Sequence, residues 1–346
     1  MRSCFKFRRK NLNLYFGIFL FLSSFSICWG HHTQLSPKAQ ENMRDFISSL
    51  SAKYNFDRSY LERIFAKVRP QRKALNLIRP SKTDKSQTIT WDHYRKLFVN
   101  KDNIDKGKRF ISTYMLSLEK AHKKYGVPPE VIAAIIGIET KYGKNQGKFP
   151  VFDTLATLAF ERSDRENFFR EELEAFILLC LEQGLSINKI KGSYAGALGI
   201  PQFMPSSWRT FAVDFDQSGK TNLLTSPKDA IGSVANYLKK HGWDKNIPTH
   251  SVAKPEPGSN AKQFFTYELQ AEYRYNDLQK GGFKDPLNKI PAYLDVSLVD
   301  LKLRNNKIIY WLATENFFAI TKYNRSYKYA AAVLELSEAL KGKSAP

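Results

Sequence analysis

The chain has 346 residues, 42% hydrophobic and 14% aromatic, with a formal charge of +21. Twenty-five Phe, 17 Tyr and five Trp need burial or a ligand, which excludes disorder for the bulk. Three cysteines exclude a disulfide scaffold, and 18 Gly and 15 Pro without a period exclude a collagen-like chain.

The N-terminus opens with Arg2, Lys6, Arg8, Arg9 and Lys10, followed by an almost wholly apolar run from Leu14 to Ile27. A basic start, a short apolar stretch and a small-residue exit describe a secretory signal over residues 1–30. The run is shorter than the roughly 20 residues of a spanning helix, so cleavage near Gly30 is preferred over an uncleaved anchor. Cys28 fits a lipidation site poorly, because Ile27 before it is not small, so membrane attachment is not favoured. Removing residues 1–30, with five cations and no anion, leaves +16 and one cysteine, Cys180, read as a small core residue. Export excludes DNA and other nucleic acid as the partner. The remaining charge suits a carboxylate- or phosphate-rich surface, or is simply a solvated face.

Ser36-Pro37 reads as a helix cap with proline at the first helical position, and Phe46, Ile47 and Leu50 form one apolar stripe. A second helix is expected from Asp57 to Val68, and residues 70–105 read as loops with short helices. Helical periodicity resumes at Lys106 through Phe110, Tyr114, Leu116 and Leu118, and breaks at Gly126-Val127-Pro128-Pro129. Residues 130–242 read as mostly helical with glycine-rich connections. After a polar stretch the period changes to two, with strands expected at Ala292–Val299, Lys307–Trp311 and Phe317–Thr321. Tyr327 to Leu340 returns to helix. The outline is a mainly α (α+β) chain with a small β-rich insertion over residues 245–315.

Three segments carry candidate chemistry. On the helix expected from Pro128 to Tyr142, Ile132, Ile135, Ile136 and Glu139 share one face, so Glu139 projects from an apolar surface. Desolvation there raises a carboxyl pKa, as a general acid for glycosidic cleavage requires. The alternative is a helix-end Glu that reaches solvent or pairs with Lys141 or Arg165. The stretch Gly192–Pro205 packs small residues, Ser193 and Gln202 into a loop suited to close ligand approach, or to a tight helix connection. Asp214, Asp216, Ser218, Lys220 and Asn222 follow the opening of an EF-hand, with Gly219 at the sixth position. Position 12 is Thr225, and Asp229 closes the set in a longer loop; an Asx-rich turn without metal is the alternative. The six His residues form no zinc spacing, and no nucleophile elbow or phosphate loop is present.

Five segments in order, namely Ile136–Gly143, Gly192–Gly196, Gln202–Ser207, Ala230–Tyr237 with His241-Gly242-Trp243, and Thr321–Ser326 with Tyr329, resemble the membrane-bound lytic murein transglycosylase B family. The resemblance spans nearly all of residues 36–340. It implies a lysozyme-like helical core, divided here into an N-terminal helical region (31–110), a catalytic core with the EF-hand-like loop (111–244), the β-rich insertion (245–315) and a segment completing the groove (316–346). It also implies a periplasmic enzyme of a Gram-negative bacterium, possible outer-membrane association, peptidoglycan strands as substrate, cell-wall synthases as candidate partners, and no required cofactor, with a structural calcium ion as an option at the acidic loop. Glu139 would be the single catalytic acid and base, and Ser193 would orient it or the substrate's N-acetyl group. Gln202, Tyr237, Tyr323, Asn324 and Tyr329 would line the groove, with Phe203 and Met204 in its wall. Arg165 would face peptide-stem carboxylates, and Ile200 stands where the family has an aromatic residue. The implied reaction cleaves the bond between N-acetylmuramic acid and N-acetylglucosamine without water, giving a 1,6-anhydro product. Two rivals predict differently: a lysozyme-like hydrolase needs a second carboxylate, with Asp153 and Glu161 nearest in sequence, and a non-catalytic wall scaffold needs no Glu139.

Overall fold

Ser36 caps the first helix, α1 (Pro37–Tyr54), by accepting the Ala39 amide, and Phe46, Ile47 and Leu50 are buried along one side. The computed structural model describes residues 34–78, 89–162, 164–266 and 268–342; the expected signal, residues 1–30, lies outside them. The short helices α2 (Arg58–Phe65) and α3 (Arg72–Ile78) follow. Then come α4 (Trp91–Phe98), α5 (Lys101–Thr113) and α6 (Met115–Tyr125). Gly126 ends α6 in the left-handed region, and Pro128-Pro129 start the next helix, where a missing N–H leaves no bond unmade.

That next helix, α7 (Pro129–Thr140), organises the molecule. Every residue from Val131 to Gly137 is buried, so it is apolar all round and sits inside. It packs against α5 and α6. It also touches α11 (Pro227–Lys240) and α14 (Tyr327–Leu340). Small residues at both contacts, Ala133 and Ala134 on α7 and Ala330 to Ala332 on α14, let the backbones approach closely. The pair α8 (Val151–Glu161) and α9 (Glu166–Gln183) packs with α1 and α3 on one side and α10 (Pro205–Phe211) on the other. Cys180 on α9 is buried among apolar neighbours, and that burial pushes its thiol up to about 12.

Two small sheets complete the described residues. β1 (Phe149–Pro150) pairs with β2 (Lys191–Gly192). Strands β3 (His250–Pro255), β4 (Tyr273–Arg274), β5 (Phe283–Lys284), β6 (Asp295–Lys302) and β7 (Ile308–Ala313) form an antiparallel sheet in the order β4-β6-β7-β3-β5. Its two faces serve different cores, as strand alternation requires. Val299, Leu301 and Trp311 join the helical core, while Val296, Leu298 and Leu312 meet Phe264, Tyr275 on α12 (Tyr275–Lys280) and Phe283.

The structure corrects one expected strand. Phe317–Thr321 belongs to helix α13 (Glu315–Tyr323), which Thr314 caps by accepting the Asn316 amide. Asn316 to Thr321 are all buried, so apolar residues surround the helix axis and no 3.6-residue rhythm shows in the sequence. No helix among the described residues is long and apolar enough to cross a membrane.

Candidate active site

Glu139 occupies the penultimate position of α7, two residues past the fully buried stretch that ends at Gly137. It is half-buried, and its carboxylate accepts a 2.6 Å hydrogen bond from the Tyr329 hydroxyl. Burial pushes the Glu139 carboxyl up to about 7, and the Tyr329 bond partly opposes that rise. Among the described residues no cation lies within 4 Å of it, so neither Lys141 nor Arg165 is its partner. The two carboxylates nearest in sequence are engaged elsewhere. Asp153 accepts the Arg69 amide at 3.2 Å, and Glu161 accepts the Ser36 amide at 2.8 Å and pairs with Arg72 at 3.4 Å.

The end of α7 is tied to the glycine-rich loop by Thr140. Its hydroxyl donates to the Ile200 carbonyl at 2.7 Å and accepts the Gly143 amide at 2.9 Å. Lys141 and Tyr142 then take left-handed backbone, turning the chain sharply away from the carboxylate. The loop is gripped at its other end by Glu172, a buried carboxylate on α9 that accepts both the amide and the hydroxyl of Ser206 at the start of α10. Gly147 sits against Gly192, where an added Cβ would lie 2.0 Å from the Gly192 carbonyl oxygen at φ +93°; only glycine fits. Ser193 folds the loop on itself, accepting the amides of Ala195 and Ala197 at 3.2 and 3.0 Å. Both bonds use its oxygen as acceptor, which leaves its own proton to donate. Gln202, with φ +53°, donates its amide to the carbonyls of Gln146 and Gly199, so its oxygen is left to accept.

The aromatic residues form one connected group. Tyr329 is 2% exposed and stacks with Tyr323 at 6.5 Å and 11°. Tyr323 meets Tyr237 and Phe203 edge-on or tilted, and its hydroxyl donates to the Pro201 carbonyl. Tyr237 is buried, stacks on His241 at 3.9 Å and donates its hydroxyl to the Lys322 carbonyl at 2.7 Å. Phe203 is also buried, and Met204 is half-buried against the core. These side chains pack on one another, and the group reaches the carboxylate through Tyr329. Asn324 lies exposed where α13 ends, and Arg165 lies exposed before α9 with its guanidinium 4.3 Å from the Phe168 ring. Sequence reasoning missed Tyr94 on α4. Its hydroxyl pKa is raised by burial and by the charge of Glu139, so it lies within electrostatic reach of that carboxylate. Its segment reads as polar loop in sequence, and its neighbours Trp91 and Phe98 are the one apolar signal there.

The acidic loop is apart from this cluster in character. Carboxylate oxygens of Asp214, Asp216 and Asp229 lie within 4.8 Å of one another. Asp229 is 0% exposed and accepts three backbone amides, those of Phe215, Asp216 and Asn222. Asp214 accepts the amides of Ser218 and Gly219, and the Ser218 hydroxyl donates to the Lys220 carbonyl. Three carboxylates with a hydroxyl and a carbonyl make an all-oxygen donor set, which fits a hard divalent cation.

Comparison with known proteins gives these features a class. The family described as the transglycosylase SLT domain matches residues 38–338. The chain belongs to this family, and it is an enzyme of the lytic transglycosylase class. It is similar to the membrane-bound lytic murein transglycosylase B of Escherichia coli (strain K12), with 37% identity over 305 residues, 86% of this chain and 82% of that one. Among solved structures it is similar to the soluble lytic transglycosylase SltB1 of Pseudomonas aeruginosa, with TM-score 0.80 and 38% identity over 87% of this chain and 98% of that one. It is also similar to the Escherichia coli lytic transglycosylase Slt35 in complex with calcium, with TM-score 0.78 and 37% identity over 87% and 92% of the two chains.

Proposed function

We propose that the enzyme cleaves the β-1,4 bond between N-acetylmuramic acid and N-acetylglucosamine in peptidoglycan, with Glu139 as acid and then base. The observation that carries this reading is a half-buried carboxyl held near neutrality, touched by one tyrosine and, among the described residues, by no second acid. Protonated Glu139 donates to the glycosidic oxygen, and the C1–O bond breaks as the leaving N-acetylglucosamine takes the proton. The substrate's own N-acetyl carbonyl stabilises the positive charge at C1. Glu139, now a carboxylate, removes the proton of the C6 hydroxyl, and that oxygen bonds to C1. The proton returns to Glu139 and no water is consumed. The Tyr329 hydroxyl stabilises the carboxylate between the two steps.

The free proton of Ser193 and the free oxygen of Gln202 suit the N-acetyl group and sugar hydroxyls, and Asn324 and Met204 line the approach. Tyr237, Tyr323 and Phe203 act by packing, holding Tyr329 and the loop in place. The solved complexes of SltB3 from Pseudomonas aeruginosa with sugar-pentapeptides support a peptide-bearing glycan as substrate. Asp214, Asp216, Asp229, Ser218 and the Lys220 carbonyl would hold a calcium ion, with Asp229 also bracing the loop; the ion would supply rigidity and no chemistry. The calcium complex of Slt35 supports this assignment. Export by residues 1–30 would place the enzyme in the periplasm, where the +16 surface faces an anionic polymer.

The test is digestion of purified peptidoglycan with the enzyme and with Glu139→Gln, followed by mass spectrometry of the soluble fragments. Fragments one water lighter than hydrolysis products, absent with the variant, support the reading. Full-mass reducing ends would replace it with hydrolysis.

A further inference from the structure

We infer that a recess formed by Lys67, Arg69, Gln71, Pro150, Asp153 and Asn188 binds an amino-acid head group, its ammonium and carboxylate on one carbon. This rests on the reading that the substrate strand carries peptide stems, since a diamino diacid within such a stem presents that group at a free end. The recess holds about 500 Å³ and has walls of both signs. Lys67 and Arg69 sit at its mouth, and among the described residues no carboxylate lies within 4 Å of either charge. Asp153 lines the same recess, next to the Arg69 backbone. Its one hydrogen bond among the described residues takes the Arg69 amide through Oδ1, and burial raises its carboxyl above the usual range. The Arg69 charge also acts on Asp153, and the two cations and one partly desolvated acid together offer both signs to a zwitterion.

The position of the recess connects it to the candidate active site. Pro150, in its wall, pairs with Lys191 in the β1–β2 ladder, and the next pair is Phe149 with Gly192. Ser193 follows Gly192 directly. The recess therefore stands about two residues, on the order of 7 Å, from the loop that carries Ser193 and Gln202. The strand pair β1–β2 is held there by the close approach of Gly147 to Gly192, so the spacing is rigid. Structural duties do not account for the charges. The segment is already fixed by the Gln71 amide, which donates to the Thr157 hydroxyl at 2.9 Å, and by the Arg69 amide on Asp153.

The experiment titrates the protein, by nuclear magnetic resonance or calorimetry, with a synthetic stem tripeptide ending in a diamino diacid with a free amino-acid end. A second peptide has that end acetylated and amidated. The free-end peptide is expected to bind, and the blocked one to bind at least about tenfold more weakly. Lys67→Ala with Arg69→Ala should weaken the free-end peptide by about tenfold, and Asp153→Asn should erase the preference over the acetylated form. Unchanged melting temperatures of the variants show that the fold is intact. Equal binding of free and blocked peptides, or equal binding by wild type and the double-alanine variant, would overturn the inference. Binding is read without turnover, so a failure of Glu139-dependent cleavage would count against the proposed reaction and leave the recess standing.

Discussion

Replacing Tyr329 with Phe removes one hydroxyl and keeps the ring stacked on Tyr323, which isolates the 2.6 Å bond to Glu139. A hydrogen bond to a charged group contributes about 1.5–3 kcal/mol. One pH unit of pKa corresponds to about 1.4 kcal/mol, so its loss should raise the Glu139 pKa by about one to two units. Glu139 begins at about 7, burial being the larger influence and Tyr329 opposing it. The free enzyme is active while Glu139 is protonated, so kcat/KM should fall on the alkaline side with a midpoint near 7. In Tyr329→Phe the midpoint should move to between about 8 and 9. The assay is release of soluble fragments from peptidoglycan strands at subsaturating substrate over pH 5 to 10. An unmoved alkaline limb, or one displaced toward acid, would refute the reasoning, because it would mean that Tyr329 does not stabilise the ionised carboxyl.

Four further outcomes follow from the same geometry. The folded-state pKa of Glu139 is raised from 4.5, so the fold favours the protonated form and wild type loses stability as pH rises from 4.5 through about 7. Glu139→Gln should match wild type at pH 4 and exceed it by up to about 3 kcal/mol at pH 8 in urea unfolding; a constant difference would contradict the burial argument. Asp229→Ala strands three backbone amides and should cost about 3 kcal/mol or more by chemical denaturation, and calcium should raise the melting temperature of wild type but not of Asp216→Asn. Gly147→Ala places a Cβ against the Gly192 carbonyl in left-handed backbone, so it should cost several kcal/mol, on the order of a severe core change, and lower kcat with it.

The burial of Glu139 was legible because its spacing from Ile132, Ile135 and Ile136 encodes burial locally, and burial is what moves its pKa, while its expected role came from the resemblance. The first helix was legible for a like reason: its cap, Ser36, and its stripe are neighbours in sequence. Tyr329 was reachable through resemblance alone, because its contact with Glu139 joins residues 190 positions apart. Tyr94 carried only the weak local signal of Trp91 and Phe98, since what marks it is the charge of Glu139 across the fold. Helix α13 was misread because burial on every side removes the polar face that reveals a period. Tyr237 and Phe203, expected from the resemblance to line the groove, are buried and pack on Tyr323, which stacks on Tyr329. Asp229 looked like a distant metal ligand, and its three amide bonds make it first the anchor of its loop.

The central claim is that one carboxyl performs both proton transfers without water. Its most direct test is digestion of peptidoglycan in water enriched in ¹⁸O, with the new sugar ends weighed by mass spectrometry. The account predicts 1,6-anhydro ends that carry no ¹⁸O and disappear with Glu139→Gln. Ends of full mass carrying one ¹⁸O from solvent would contradict it.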